Sequence, residues 1–254
     1  MRSRVVGLLV FAAMAAGCAP RVEPLVKPGA SSVLVTSGSM VYLARTAAGI
    51  VAIDLGWSGD ASRLERALGE LNAKPSDVAM VFLTHSHRDH IAAWPVLRGA
   101  RFFLGAAEVP LLFGDSAHGG WIPRTADRLE TPTLPKHGEL AIQPFASDTT
   151  IVLGADTLRA YLVPGHTAGS AVYLFRGILF LGDAVTHSTL GGFGPAKRGF
   201  TADRATAIES LERLWARLPQ GGVQYACTAH ADCAPFEEVL SAVRRGAKSP
   251  PATR

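Results

Sequence analysis

The stretch Thr84-His85-Ser86-His87-Arg88-Asp89-His90 gathers three imidazoles and a carboxylate directly behind the apolar run Val78-Ala79-Met80-Val81-Phe82-Leu83. So dense a cluster fits neither a packed core nor a solvated face. On an extended backbone side chains alternate, so His85 and His87 point to the same side. If the chain then turns into a helix, Asp89 and His90 project back from its first turn toward a neighbouring point. One short segment thus furnishes ligands to two adjacent cations, and His with Asp is the donor set of hydrolytic zinc sites.

Three later segments repeat the pattern of an apolar strand with a His or Asp just beyond it. Val163-Pro164-Gly165-His166-Thr167-Ala168-Gly169-Ser170 follows the run 157–163, Gly182-Asp183 follows 178–181, and Thr228-Ala229-His230 follows 223–227. A lone His after a strand is more often structural than functional. Four such strand ends in one chain, one of them carrying the dense cluster, point to a shared metal site.

The elements that must deliver these residues are legible in outline. Short apolar runs at 32–36, 40–44 and 50–54 predict a strand meander, and Leu64, Ala67, Leu68 and Leu71 predict a helix over 60–72 capped by Asp60. Strands are expected at 78–83, 101–104, 139–142, 149–153, 157–163, 171–175, 178–181 and 223–227, and helices at 203–218 and 235–245. Residues 114–138, with Gly119-Gly120, Pro123, Pro132 and Pro135, read as a long irregular insert over a pocket, where Trp121 and Phe113 offer an apolar wall. His118 and His137 in this insert read as surface residues. Gly191-Gly192-Phe193-Gly194 predicts a mobile second rim loop within 186–202. The order gives two halves, each strands then helix, which suits two sheets with helices outside.

The chain has 254 residues, is 48% hydrophobic and 18% charged, and so is long enough to bury a core without staples. Residues 1–17 stand apart from that core. Arg2 and Arg4 precede the apolar run Val5–Ala16, which is too short to span a membrane and ends in Ala15-Ala16-Gly17-Cys18. This resembles a bacterial lipoprotein signal, which implies lipidation at Cys18 and a tether over 18–31. The domain then covers 32–254, held at the membrane of the cell envelope, periplasmic or at the cell surface. Removing Arg2 and Arg4 takes the formal charge from +4 to +2. The remaining basic pairs are short and separate, which argues against a nucleic-acid partner. In an oxidising location Cys227 and Cys233 form an even pair, and a disulfide between them would close a small loop around His230.

His85-x-His87-x-Asp89-His90, Pro-Gly-His166-Thr-x-Gly-Ser, Gly-Asp183 and His230, with Asp54-Leu-Gly56 upstream, resemble the metallo-β-lactamase-fold superfamily from about residue 32 onward. The resemblance implies an α/β fold, an αββα sandwich of two mixed β-sheets flanked by helices, with a binuclear metal site along one edge of the paired sheets. It also implies that His85, His87 and His166 hold one metal, that Asp89, His90 and His230 hold the other, and that Asp183 bridges them. Two close divalent cations lower the pKa of a shared water, so that hydroxide attacks a small-molecule electrophile near neutral pH. Asp89 is placed to orient that nucleophile or take its proton. Zn suits the all-N/O ligand set, and Mn or Fe are compatible with it. His187, four residues past Asp183, is a candidate proton donor or a partner behind a ligand.

Within that superfamily, Asp183 argues against a β-lactam hydrolase, whose relatives generally lack an aspartate at the bridging position. Only 24 residues follow His230, too few for the helical substrate domain of glyoxalase II-like thioesterases. Thr186 stands where quorum-lactone hydrolases often carry Tyr. The expectation is a binuclear hydrolase of an ester, lactone or thioester. The alternatives are a β-lactam hydrolase, a mononuclear iron persulfide dioxygenase, and a non-catalytic metal-binding lipoprotein.

Overall fold

The computed structural model describes residues 22–23, 32–36, 39–57, 61–129, 133–188, 192–231 and 233–248. The signal segment 1–17, Cys18, the expected cap Asp60 and most of the tether lie outside them. Within the tether, Val22 and Glu23 form a short strand, β1, paired antiparallel to β2 (Ser32–Thr36).

The first sheet continues in chain order through β3 (Met40–Thr46), β4 (Gly49–Ile53), β5 (Val78–Phe82), β6 (Arg101–Gly105) and β7 (Ala141–Phe145). It is antiparallel as far as β4 and parallel from β4 to β7. The second sheet starts with β8 (Thr149–Leu153), β9 (Asp156–Leu162), β10 (Ala171–Phe175) and β11 (Ile178–Phe180). A separate hairpin of β12 (Val185–Ser188) and β13 (Gly192–Pro195) comes next. The chain then returns to the second sheet with β14 (Tyr225–Cys227), parallel to β11, and β15 (Cys233–Pro235). Six helices complete the described chain: α1 (Ser62–Glu70), α2 (Arg88–Ile91), α3 (Val109–Leu112), α4 (Trp121–Leu129), α5 (Arg204–Arg217) and α6 (Phe236–Lys248). The result is the expected α/β sandwich of two mixed sheets flanked by helices.

Both faces of the central strands are buried, which is why they read as continuous apolar runs rather than alternating ones. In β3, Met40, Tyr42 and Ala44 face the second sheet, while Val41 and Leu43 face Leu64, Ala67 and Leu68 of α1. In β10, Tyr173 and Phe175 enter the inter-sheet core, while Val172 and Leu174 pack under Leu211 and Leu214 of α5 and Val239 of α6. The Tyr173 hydroxyl donates across the sandwich to the Leu83 carbonyl at 2.7 Å, so the second sheet holds the strand end that precedes the histidine cluster. Asp203 caps α5 by accepting from Thr206 N at 3.1 Å.

Three elements depart from the sequence expectation. The insert is not irregular throughout, since Trp121–Leu129 is helical. Pro123 falls in its first turn, where a missing N–H costs no helical hydrogen bond. The second rim loop is a paired hairpin at Gly192–Pro195 despite its glycines. The strand expected at 139–142 runs instead over Ala141–Phe145, at the edge of its sheet, where Pro144 is tolerated.

Candidate metal centre

Parallel pairing places the chemistry. Strands β4 and β5 end together, with Asp54 N bonded to Phe82 O, so Asp54 lies beside the His85 segment. Strands β11 and β14 end together in the other sheet, with Leu181 N bonded to Cys227 O, so Asp183 and His230 emerge side by side. The two edges are joined where Ala171 N donates to Thr84 O at 2.8 Å. Ligands at the carboxyl ends of parallel strands follow from this topology.

The seven sequence-identified residues converge. His85 Nε2, His87 Nδ1 and His166 Nε2 form a triangle with sides of 2.9, 3.1 and 3.2 Å. Tetrahedral zinc bonded at 2.0–2.1 Å separates its nitrogens by about 3.3 Å, close to this spacing. On the other side, His230 Nε2 lies 3.2 Å from Asp89 Oδ2, and His90 Nε2 lies 3.5 Å from it. Asp183 stands between the groups, with Oδ2 3.6 Å from His166 Nε2, and Oδ1 3.3 Å from His230 Nε2 and 3.8 Å from His90 Nε2. The buried atoms His90 Nε2 and Asp183 Oδ1 have no hydrogen-bond partner among the described residues. Orphaned lone pairs of this kind in a buried site call for a cation. The donor set therefore fits two divalent metals and forms a binuclear site.

Groups behind the ligands fix their tautomers. Asp54, held at φ +54°, accepts from Thr84 N and Thr84 Oγ1 at 2.7 Å and from His90 Nδ1 at 2.9 Å. That bond turns the His90 Nε2 lone pair inward. Thr201 Oγ1 lies 3.3 Å from His166 Nδ1 and donates to Lys197 O at 2.7 Å, which leaves it to accept from the imidazole. Gly182, at φ +52°, brings the Asp183 turn against Thr84, where a Cβ would sit 2.6 Å from the Thr84 hydroxyl. Asp54→Asn is expected to weaken the metal at Asp89, His90 and His230 by about 10–100-fold. A stepwise chelator competition reads this, and unchanged affinity for the second equivalent would remove the role given to Asp54.

The electrostatics of the two halves differ. Desolvation, reinforced by neighbouring imidazoles, holds His85 and His87 well below the ordinary histidine range; desolvation also lowers His166, against the opposing Asp183. Desolvation acts the same way on His90, but Asp89 and Asp54 outweigh it and raise its pKa to about 10. His230 is likewise raised, Asp183 and Asp89 overcoming desolvation. The first triangle is thus neutral and ready for metal at pH 7, whereas the second half holds protons that a metal must displace. In metal-free protein the lowered triad takes up protons only on unfolding, so its contribution falls as pH drops below about 6.5. The raised pair stabilises the fold below about 6.5 and loses that contribution as pH rises, His90 toward about 10. Melting of chelator-treated protein is expected to peak between these flanks, near pH 6–7. A melting temperature that climbs steadily to pH 9 would contradict this assignment.

The remaining residues fall at varied distances from the centre. Cys227 and Cys233 oppose each other across β14 and β15 and are joined by a disulfide that encloses His230. The His187 ring lies 4.8 Å from that of Phe193 within the hairpin, tilted by 58°, and among the described residues no contact joins it to the seven candidate ligands. His118 is not a surface residue: it is buried, 4.6 Å from the His87 ring, with Nε2 3.0 Å from Ser86 Oγ. His137 is exposed and stacks on Phe113, which turns that ring toward the insert's own packing. Trp121 is 65% exposed on α4. Sequence reading missed Glu108, a fully buried carboxylate that binds both ligand loops.

Clusters of histidines and aspartates that fit two metals lie at the edge of an αββα sandwich. Residues 35–219 match the model of the metallo-beta-lactamase superfamily, and the chain belongs to that superfamily. It is similar to the metallo-beta-lactamase from Pontibacter korlensis, with a TM-score of 0.64 and 20% identity, covering 91% of this chain and 100% of that one. It is 27% identical over 172 residues to the probable polyketide biosynthesis zinc-dependent hydrolase BaeB of Bacillus velezensis, covering 66% of this chain and 62% of the relative. It is 31% identical over 156 residues to a hydroxyacylglutathione hydrolase of Acidiphilium cryptum, covering 61% of this chain and 52% of the relative. The chain therefore spans about half to three-fifths of the length of these curated relatives.

Proposed function

We propose that this metallo-hydrolase cleaves the acyl bond of a small ester, lactone or thioester. The observation that carries the reading is the placement of Asp183, one oxygen toward each ligand group. A carboxylate so placed could serve two cations at once, which favours binuclear hydrolysis over mononuclear iron oxidation. The relative named hydroxyacylglutathione hydrolase supports an acylated substrate.

His85, His87 and His166 would hold one cation, Asp89, His90 and His230 the other, with Asp183 shared between them. The bound pair would supply Lewis acidity toward the acyl oxygen and make an attacking water acidic near neutral pH. The chain's own task is to place and deprotonate that water. Asp89 Oδ2, 3.2 Å from His230 Nε2, is the carboxylate at hand to orient it and accept its proton. Asp54 and Thr201 keep His90 and His166 in the tautomers that aim lone pairs inward. The Arg2, Arg4 and Cys18 pattern supports export and lipid anchoring at the cell envelope as part of this proposal.

The test is a panel of esters, lactones, thioesters and β-lactams, run on metal-analysed protein lacking residues 1–18. Turnover of an acyl substrate at two metals per chain is the expected result. Turnover confined to β-lactams, oxygen consumption with a persulfide at one iron per chain, or bound metal with no turnover would each overturn the reading.

A further inference from the structure

Glu108 ends the short 3-10 turn Ala106–Glu108 and is fully buried, with no metal-ligand role and no ion pair to a cation among the described residues. A buried carboxylate is costly unless its oxygens are hydrogen-bonded. Here they are. Oε1 accepts from Ser86 N at 2.8 Å and from Ser86 Oγ at 2.7 Å. Oε2 accepts from Thr167 Oγ1 at 2.6 Å and from Gly169 N at 3.0 Å.

These partners are not scattered. Ser86 lies between His85 and His87, and Thr167 follows His166 directly. One side chain thus joins the two loops whose nitrogens form the first triangle, one loop from each sheet. The approach is as close as the backbone permits, since a Cβ at Gly169 would sit 2.2 Å from Glu108 N and one at Gly105 would sit 2.2 Å from Gly169 O. Ser170 completes the seam: its hydroxyl accepts from Thr167 N at 3.0 Å and lies 2.7 Å from Thr167 Oγ1. Because the Ser86 hydroxyl donates to Glu108, it is left to accept from His118 Nε2, and this links the seam to the insert.

We propose that Glu108 is a positioning residue for the first metal, clamping the His85–His87 and His166 loops so that their three nitrogens converge before metal arrives. A charged acceptor is suited to this, since hydrogen bonds to an ionised group are roughly twice as strong as neutral ones. The clamp also accounts for a triangle already near coordination spacing. This inference rests on the metal centre and not on which bond is cleaved, so failure of the acyl-hydrolase reading would leave its test untouched.

The test is Zn(II) titration against a chromophoric chelator, with the Co(II) spectrum of the first equivalent, on Glu108→Gln in the full chain. Glutamine keeps the size but replaces one acceptor by a donor facing N–H or O–H groups. The first metal is expected to bind about 10–100-fold more weakly, with altered cobalt bands, while the second equivalent keeps its dependence on Asp54. A purely structural role would lower the melting temperature and leave the affinity of the folded fraction unchanged. Thr167→Val, which deletes one arm, and Thr167→Ser, which restores the hydroxyl, extend the test should Glu108→Gln fail to fold. Weakened binding in valine with recovery in serine supports the clamp. Wild-type affinity and cobalt bands in folded Glu108→Gln or in Thr167→Val would overturn it.

Discussion

Asp183→Ala is expected to reduce bound metal from two equivalents toward one and to lower acyl hydrolysis by more than the ~10–100-fold that loss of a partner behind a ligand costs. The reason is geometric. Asp183 is the residue with an oxygen toward each group, 3.6 Å from His166 and 3.3 Å from His230. Its removal also takes away one of the two carboxylates that raise the His230 pKa, so that pKa falls, while His90 keeps Asp89 and Asp54 beside it. That does not compensate, because the second cation has lost a charged ligand. Metal analysis with steady-state turnover measures the result. Two tightly held metals and undiminished turnover in the variant would show that the carboxylate does not bridge.

Asp89→Asn is expected to separate holding a metal from moving a proton. Asparagine keeps a carbonyl oxygen near His230 but lacks basicity. In the metal-free chain His90 and His230 hold Asp89 ionised against desolvation, well below the usual carboxylate range. Loss of a general base lowers turnover by about 10²–10⁴-fold. The decisive measurement is turnover of Asp89→Asn preparations restored to two metals by excess Zn. Low turnover at full occupancy supports proton transfer by Asp89, whereas recovery to the native rate would reduce it to a ligand.

The legible part of the site was the part written locally. His85, His87, Asp89 and His90 declare themselves by density, and His166, Asp183 and His230 by their place after apolar strands. The sandwich followed from the strand runs and the amphipathic helices α1 and α5. What was not legible depends on partners remote in the chain. Glu108 is preceded by two alanines and meets Ser86 22 residues before it and Gly169 61 residues after it, so no local pattern marks it. Thr201 lies 35 residues from the histidine it supports. His118 escapes a sequence reading because Gly119-Gly120 and the prolines suggest an exposed loop, whereas the residue is buried against His87, 3.8 Å from Asp127 of α4. The β12–β13 hairpin has weak strand propensity of its own, and its order comes from mutual pairing and from α6 packed across it.

The candidate ligands divide by sheet: His85, His87, Asp89 and His90 leave the first, and His166, Asp183 and His230 leave the second. A cation bound at either group would therefore rivet the two layers of the sandwich and couple occupancy to cohesion. By mass action, a cation held at a thousand times its dissociation constant adds about 4 kcal/mol to the folded state. Metal starvation would then be a mechanical event as much as a chemical one, acting where the two halves of the chain meet.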